Sequence, residues 1–200
     1  MFFNFNKLNL QSFINLIKII MNHNHPTPAS NQKEVKPIAP KVKELVERSK
    51  SIILGTVDAE GNPNASYAPF VQVDGKFYIL VSFMARHTKN LRDRKKVSMM
   101  FIEDETTSKQ LFARERLTID AEAEQIESGS ETWNTIVGKL KETHGKVVDV
   151  ISNMGDFILI ALQPVKGAYV NGFGSAYFVN EALEVLEHRN EVGHGDKSEK

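Results

Sequence analysis

From Ser51 onward, apolar residues recur at every second position, in short runs separated by turn residues. A period of two places successive side chains on opposite faces, so each run is a strand with one face to bury. Residues 52–57 form the first such run. Asp58-Ala59-Glu60-Gly61-Asn62-Pro63 then reads as a turn rich in strand breakers. Residues 65–73 return, and Asp74-Gly75 is a tight hairpin signal before a third strand at 76–81. Residues 97–102 and 117–126 make the fourth and fifth strands, and 157–162 with 167–170 make the sixth. Short strands joined by hairpins predict an antiparallel barrel.

Helices flank this mainly β chain. Val42, Leu45 and Val46 have helical spacing over 42–48, with mixed charge on the other face. Residues 87–94 form a short basic helix. Residues 130–143 place Trp133, Ile136, Val137 and Leu140 on one face, with Ser130 as N-cap. Residues 147–154 form another helix, stopped by Gly155. No internal repeat is visible.

A chain of 200 residues, 41% hydrophobic and 25% charged, has the composition of an ordinary globular domain. Its 25 Lys and Arg balance 25 Asp and Glu, so no overall charge favours nucleic acid or a membrane surface. The absence of Cys excludes disulfides, Fe–S clusters and thiolate zinc sites, and fits a reducing cytoplasm.

Three regions follow from these patterns. Residues 1–40 are expected to be a disordered or mis-called N-terminal extension. Their first twenty residues are apolar but broken by Asn4, Asn6, Lys7, Asn9, Gln11, Asn15 and Lys18. That is neither a signal-peptide core nor a membrane span, and Met21 is an alternative start. Residues 22–40 hold four prolines and little apolar material. Residues 41–179 are the barrel domain, and 180–200 are a hydrophilic C-terminal tail.

Several motifs carry chemistry. Ala85-Arg86-His87-Thr88-Lys89-Asn90-Leu91 follows a strand and opens a helix. Helix N-termini offer free N–H groups, and Arg86, His87 and Lys89 add positive charge, so this is a candidate anion site or a solvated basic face. Arg114 and Arg116 precede a strand and share a face by period two. Asp156 opens a buried strand, where it either caps the preceding turn or accepts the ring N–H of a metal-bound imidazole. His144 at a helix end pairs with the helix dipole. In the tail, Gly193-His194-Gly195 sets an imidazole between two glycines, where packing gives it no purpose. His-x-x-x-His zinc spacing, the nucleophile elbow and the P-loop are not found.

Ala59-Glu60-Gly61-Asn62-Pro63-Asn64-Ala65-Ser66-Tyr67-Ala68-Pro69-Phe70, Ala85-Arg86-His87, Ile102-Glu103-Asp104-Glu105 and Lys109-Gln110-Leu111-Phe112-Ala113-Arg114 occur in order. Arg116-Leu117-Thr118, Asp156-Phe157, Gly172-Phe173-Gly174-Ser175-Ala176-Tyr177 and Gly193-His194 complete the series. In this order and spacing the chain resembles the HutZ/HugZ-type haem utilisation proteins. These are haem-degrading members of the pyridoxamine 5'-phosphate oxidase-like split-barrel superfamily. The resemblance covers residues 42–194 and implies a six-stranded antiparallel split β-barrel of the FMN-binding type. It also implies an obligate homodimer with haem at the interface. It assigns His194 as the proximal iron ligand, Asp156 as its hydrogen-bond acceptor, and Arg116 to the distal side, with His87 as a further haem-binding residue. His188 remains a rival ligand, because the tail differs slightly in length from the family pattern.

The implied reaction is oxidative opening of haem to a biliverdin-like product with release of iron, using O2 and an unidentified external electron donor. Axial ligand, hydrogen bond and distal polarity are then the protein's levers. Arg86, His87 or Lys89 would pair with haem propionates. Two other readings stay open. One is an FMN-dependent oxidoreductase, with Arg86, Thr88, Lys89 and Asn90 at the flavin phosphate. The other is a haem store or carrier without turnover.

Overall fold

The computed structural model describes residues 38–189. The first helix, α1 (Ala39–Arg48), carries Pro40 in its first turn, where the missing N–H costs nothing. Its Val42, Leu45 and Val46 are buried as their spacing predicts. Strands β1 (Ser51–Val57) and β2 (Pro63–Pro69) form the first hairpin. Strands β3 (Val71–Val73) and β4 (Lys76–Ser82) form the second. Its turn residues Asp74 and Gly75 both have positive φ, 49° and 78°, the backbone that an Asp-Gly hairpin turn requires.

Helix α2 (Arg86–Arg94) leads to β5 (Lys96–Ile102), a short 3-10 turn at Leu111–Ala113, and β6 (Arg116–Ile126). Helix α3 (Glu131–His144) is capped by Ser130, whose Oγ accepts the Trp133 N–H at 3.1 Å, as the sequence predicts. The shorter α4 (Val147–Ser152) precedes β7 (Phe157–Gly172), and β8 (Ser175–Asn180) and β9 (Val185–His188) complete the chain.

The strands form one antiparallel sheet in the order β2-β1-β5-β6-β7-β4-β3, with β8 on β7 and β9 on β8. Among the described residues the sheet has nine strands where six were expected, and the reasons are local. Pro69 has no N–H to continue the ladder. Phe70 turns into the core, edge-on to Phe77 at 5.6 Å and to Phe101 at 5.4 Å. The expected strand 65–73 thus divides, β2 pairing with β1 and β3 with β4. The two expected pieces of the sixth strand are instead one strand of 16 residues. Its register shifts opposite Asp120 and Ala121, which absorbs the irregularity seen in the sequence. The strands β8 and β9 were not expected.

Two cores use the two faces of this sheet. Phe77, Ile79, Val81, Ile158, Ile160 and Leu162 belong to the larger. Tyr78, Leu80, Leu159 and Ala161, alternating with them, pack under Trp133, Ile136, Leu140 and Val148 of α3 and α4. That is why β4 and the first half of β7 read as almost continuous apolar runs. Among the described residues the other half of the sheet has no such cover. There Tyr67, Ile53, Met100, Thr118, Ala168 and Phe178 lie in one cross-strand row, on the face opposite the core. Tyr67 is 69% exposed and Phe178 is 40% exposed.

Gly167 is required by close approach. A Cβ there would stand 2.4 Å from the Thr118 carbonyl oxygen and 2.9 Å from Val179 Cγ2. Backbone on one side cannot yield without disturbing the β6–β7 ladder. Gly167→Ala is expected to destabilise the fold by about 2 kcal/mol. Chemical denaturation should show a lower midpoint at unchanged slope, and an unchanged midpoint would refute it.

Candidate functional site

The sequence candidates fall into two groups at opposite ends of β7. The first gathers around the start of α2. Asp156, exposed just before β7, accepts from Ser82 Oγ at 2.9 Å, and its carbonyl accepts the Phe83 N–H at 2.7 Å. A carboxylate has further acceptor sites beyond that one bond. Ser82 is held in turn, because its carbonyl accepts from Thr88 Oγ1 at 2.7 Å. Nothing in the sequence marked Ser82, which lies 74 positions from its carboxylate partner.

Arg86 donates to Asp58 Oδ2 at 2.8 Å across the β1–β2 turn. Asp58 also accepts from the Asn62 backbone N–H at 2.8 Å and the Glu60 N–H at 3.1 Å. The Asn62 backbone N–H, and after it the Arg86 and Asn62 side chains, hold the Asp58 carboxyl down at about 2. A folded-state value below the ordinary 3.8 gives stability that is present above pH 3.8 and lost as pH falls through about 2. Acid unfolding in that window should therefore weaken in Asp58→Asn. Identical acid titrations of the two proteins would contradict this. The turn chemistry of Asp58 was legible, whereas its strap to α2 was not.

His87 is half-buried, and its Nε2 has no hydrogen-bond partner among the described residues. Burial pushes its pKa below the ordinary imidazole value, which favours the neutral ring. Lys89 is exposed on the same helix. Thr88 and Asn90 point the other way. Both are buried, and Asn90 Nδ2 donates to the buried Thr56 Oγ1 at 3.0 Å.

The second group lies near the far end of β7. Arg116 opens β6 on the outer face, in one cross-strand row with Ile102, Val170 and Ala176. Its Nη1 donates to the Arg114 carbonyl at 3.1 Å. Arg114 precedes the strand and folds back, Nε donating to the Glu103 carbonyl at 3.1 Å and Nη1 to Glu105 at 3.0 Å. Of the two arginines, Arg116 is the one within the sheet. Beside it, Glu115 accepts from the buried Tyr169 hydroxyl and pairs with Arg48 of α1. Burial, then the Glu115 carboxylate, push the Tyr169 phenol far above its ordinary value, so it stays a donor. The Arg48–Glu115 pair, which the sequence did not suggest, thus clamps α1 to the sheet, and Tyr169 holds its carboxylate.

The same row leads to the tail. The Arg189 N–H donates to the Ala176 carbonyl at 2.7 Å. His188 lies on β9 opposite Tyr177. His194 lies outside the described residues, as does the whole extension 1–37. His144 Nε2 donates to the Phe70 carbonyl at 2.9 Å, tying the end of α3 to the break between β2 and β3. Among the described residues no three His, Asp or Glu side chains gather as metal ligands. None of the described helices is long and apolar enough to cross a membrane.

With this geometry in hand, the comparisons with known proteins are specific. The Pyridoxamine 5'-phosphate oxidase family profile matches residues 38–171. Heme oxygenase HutZ from Vibrio cholerae is 48% identical over 143 residues, covering 72% of this chain and 81% of that protein. A crystal structure of Vibrio cholerae HutZ, described there as a heme storage protein, superposes with a TM-score of 0.61. That match is also 48% identical, and covers 62% of this chain and 88% of that one. Campylobacter jejuni ChuZ superposes with a TM-score of 0.69 at 26% identity, covering 92% of this chain and 72% of that one.

Proposed function

The chain belongs to the pyridoxamine 5'-phosphate oxidase family and is HutZ-like within it, and on that premise we propose that it is a homodimeric haem oxygenase. Its substrate is haem, which it opens to a biliverdin-like tetrapyrrole with release of iron, using O2 and an external electron donor. The carrying observation is where the described residues end. Arg189 bonds to Ala176 in the row that holds Arg116, and His194 follows five residues later. Five extended residues reach up to about 17 Å, and three strand spacings from Arg116 to Arg189 amount to about 14 Å. A span of five residues is therefore long enough to connect Arg189 with the surface beside Arg116.

Asp156 stands before β7, while Val170, the neighbour of Arg116, is near the other end of that strand. The uncovered apolar row gives a second copy a place to pack. A two-fold pairing then brings the α2 end of one copy toward the tail end of the other, so that Asp156 of the partner subunit accepts the His194 ring N–H.

The side chains present fit haem. A neutral half-buried imidazole with an unpartnered nitrogen, His87, stands beside the cations Arg86 and Lys89. Arg86 and Lys89 are placed to pair with propionates. Bound haem supplies the redox metal and the reactive porphyrin carbons. His194 binds and orients it, Asp156 fixes the imidazole tautomer, and the Arg116 cation favours negative charge developing on oxygen. An FMN phosphate is less well served, because Thr88 and Asn90 are turned into the core.

Haem titration followed by reductant under air tests this reading. The expected result is a histidine-ligated spectrum that decays to a biliverdin-like product and chelatable iron. Stable ferrous haem after reduction would favour a store. Tight FMN binding without haem binding would favour the flavin reading.

A further inference from the structure

Ser82 is the last residue of β4, paired with Phe157 at the start of β7. Asp156 therefore stands one step beyond the ladder, exposed. An exposed carboxylate with nothing to hold it spreads over several rotamers. Here Ser82 Oγ donates to its Oδ2 at 2.9 Å. The direction of that bond is forced. Ser82 Oγ also accepts the Met84 N–H at 3.2 Å, the local turn that a serine makes with the backbone two residues on. A hydroxyl has one proton and an ionised carboxylate only accepts, so the proton lies on the Asp156 side.

Ser82 is fixed from behind as well. Its carbonyl accepts both the buried Thr88 Oγ1 at 2.7 Å and the Ala85 N–H at 3.1 Å. The next N–H, from Phe83, reaches the Asp156 carbonyl at 2.7 Å. The Ser82 side chain thus ties the carboxylate to the buried first turn of α2. Among the described residues Asp156 Oδ1 accepts no hydrogen bond.

We propose that Ser82 is a positioning residue for Asp156: it holds Oδ2 in one direction and so presents Oδ1 as the acceptor of an imidazole N–H. The inference rests on the proposed haem reading and deepens it. An acceptor held in place before haem arrives loses no rotamer freedom when its bond forms. Removing the hydroxyl has two opposed effects. A carboxylate relieved of one donor is a stronger acceptor, whereas one free to rotate is less often in place. The exposure of Asp156 makes the second effect the larger.

The test uses Ser82→Ala, Ser82→Thr, Asp156→Ala and the double variant Ser82→Ala with Asp156→Ala, all in the full-length protein. In the haem-free protein, three-bond couplings that report the Asp156 χ1 angle should change from those of one rotamer to averaged values in Ser82→Ala. Ser82→Thr keeps the hydroxyl and should keep the single rotamer. With haem, Ser82→Ala should retain affinity within about twofold while kcat falls about fivefold, a smaller loss than removal of the carboxylate itself. Its ferrous iron–histidine stretching band should move toward that of Asp156→Ala. Adding Ser82→Ala to Asp156→Ala should have no further effect, because a residue that acts through Asp156 is silent without it. A parent-like rate and band in Ser82→Ala would overturn the proposal. So would a band displaced away from that of Asp156→Ala, or an undiminished loss in the double variant. A parent protein that binds no haem would sink the haem reading. The couplings alone then decide the positioning role, which unchanged values in Ser82→Ala would overturn.

Discussion

His194→Ala is expected to lose histidine ligation of haem and essentially all haem degradation. In the proposed site its imidazole is the iron ligand, and the chain has no Cys to replace it. Affinity should fall by at least about a hundredfold, since loss of a mere supporting partner to a metal-bound His already costs 10–100-fold. Absorption and electron paramagnetic resonance spectra would show the change, and added imidazole should partly restore the parent spectrum. Asp156→Asn should be milder. Haem stays bound, but turnover slows by about tenfold or more as the charged acceptor is lost. Arg116→Ala should slow turnover with little effect on binding. A parent-like spectrum and rate in His194→Ala would remove the proximal assignment.

Tyr67→Glu is expected to split the proposed dimer. Tyr67 stands at one end of the uncovered row, opposite Ile53 on β1, and is largely exposed in the single chain. Its replacement should leave the monomer folded, because neither core contains it. In a packed interface an unpaired carboxylate costs several kcal/mol, so dissociation should strengthen by about a hundredfold or more. Sedimentation should show monomer at micromolar concentration with an unchanged circular dichroism spectrum. Haem degradation should fall with it, because the Asp156 end and the Arg116 end then no longer meet. A Tyr67→Glu protein that stays dimeric, or a monomer with full turnover, would break the shared-site reading.

The alternation of apolar residues determined most strand positions, and particular residues set their ends. Ser130 caps α3, Asp74-Gly75 makes its hairpin, and Val42, Leu45 and Val46 bury one helix face. These are local facts, fixed by side chains within a few positions of one another. The residue pattern singled out Arg116, Asp156, His87 and His194, and the resemblance assigned their roles, but neither gave their arrangement. Tertiary structure decided that Asp156 and Arg116 stand at opposite ends of β7 and that Ser82 holds the first. It also turned Thr88 and Asn90 inward and extended the sheet through β9. Periodicity tells which face of a strand is apolar. It does not tell which distant strand pairs with it, or whether a helix or a second copy covers that face, because those choices rest on contacts between residues far apart in the chain.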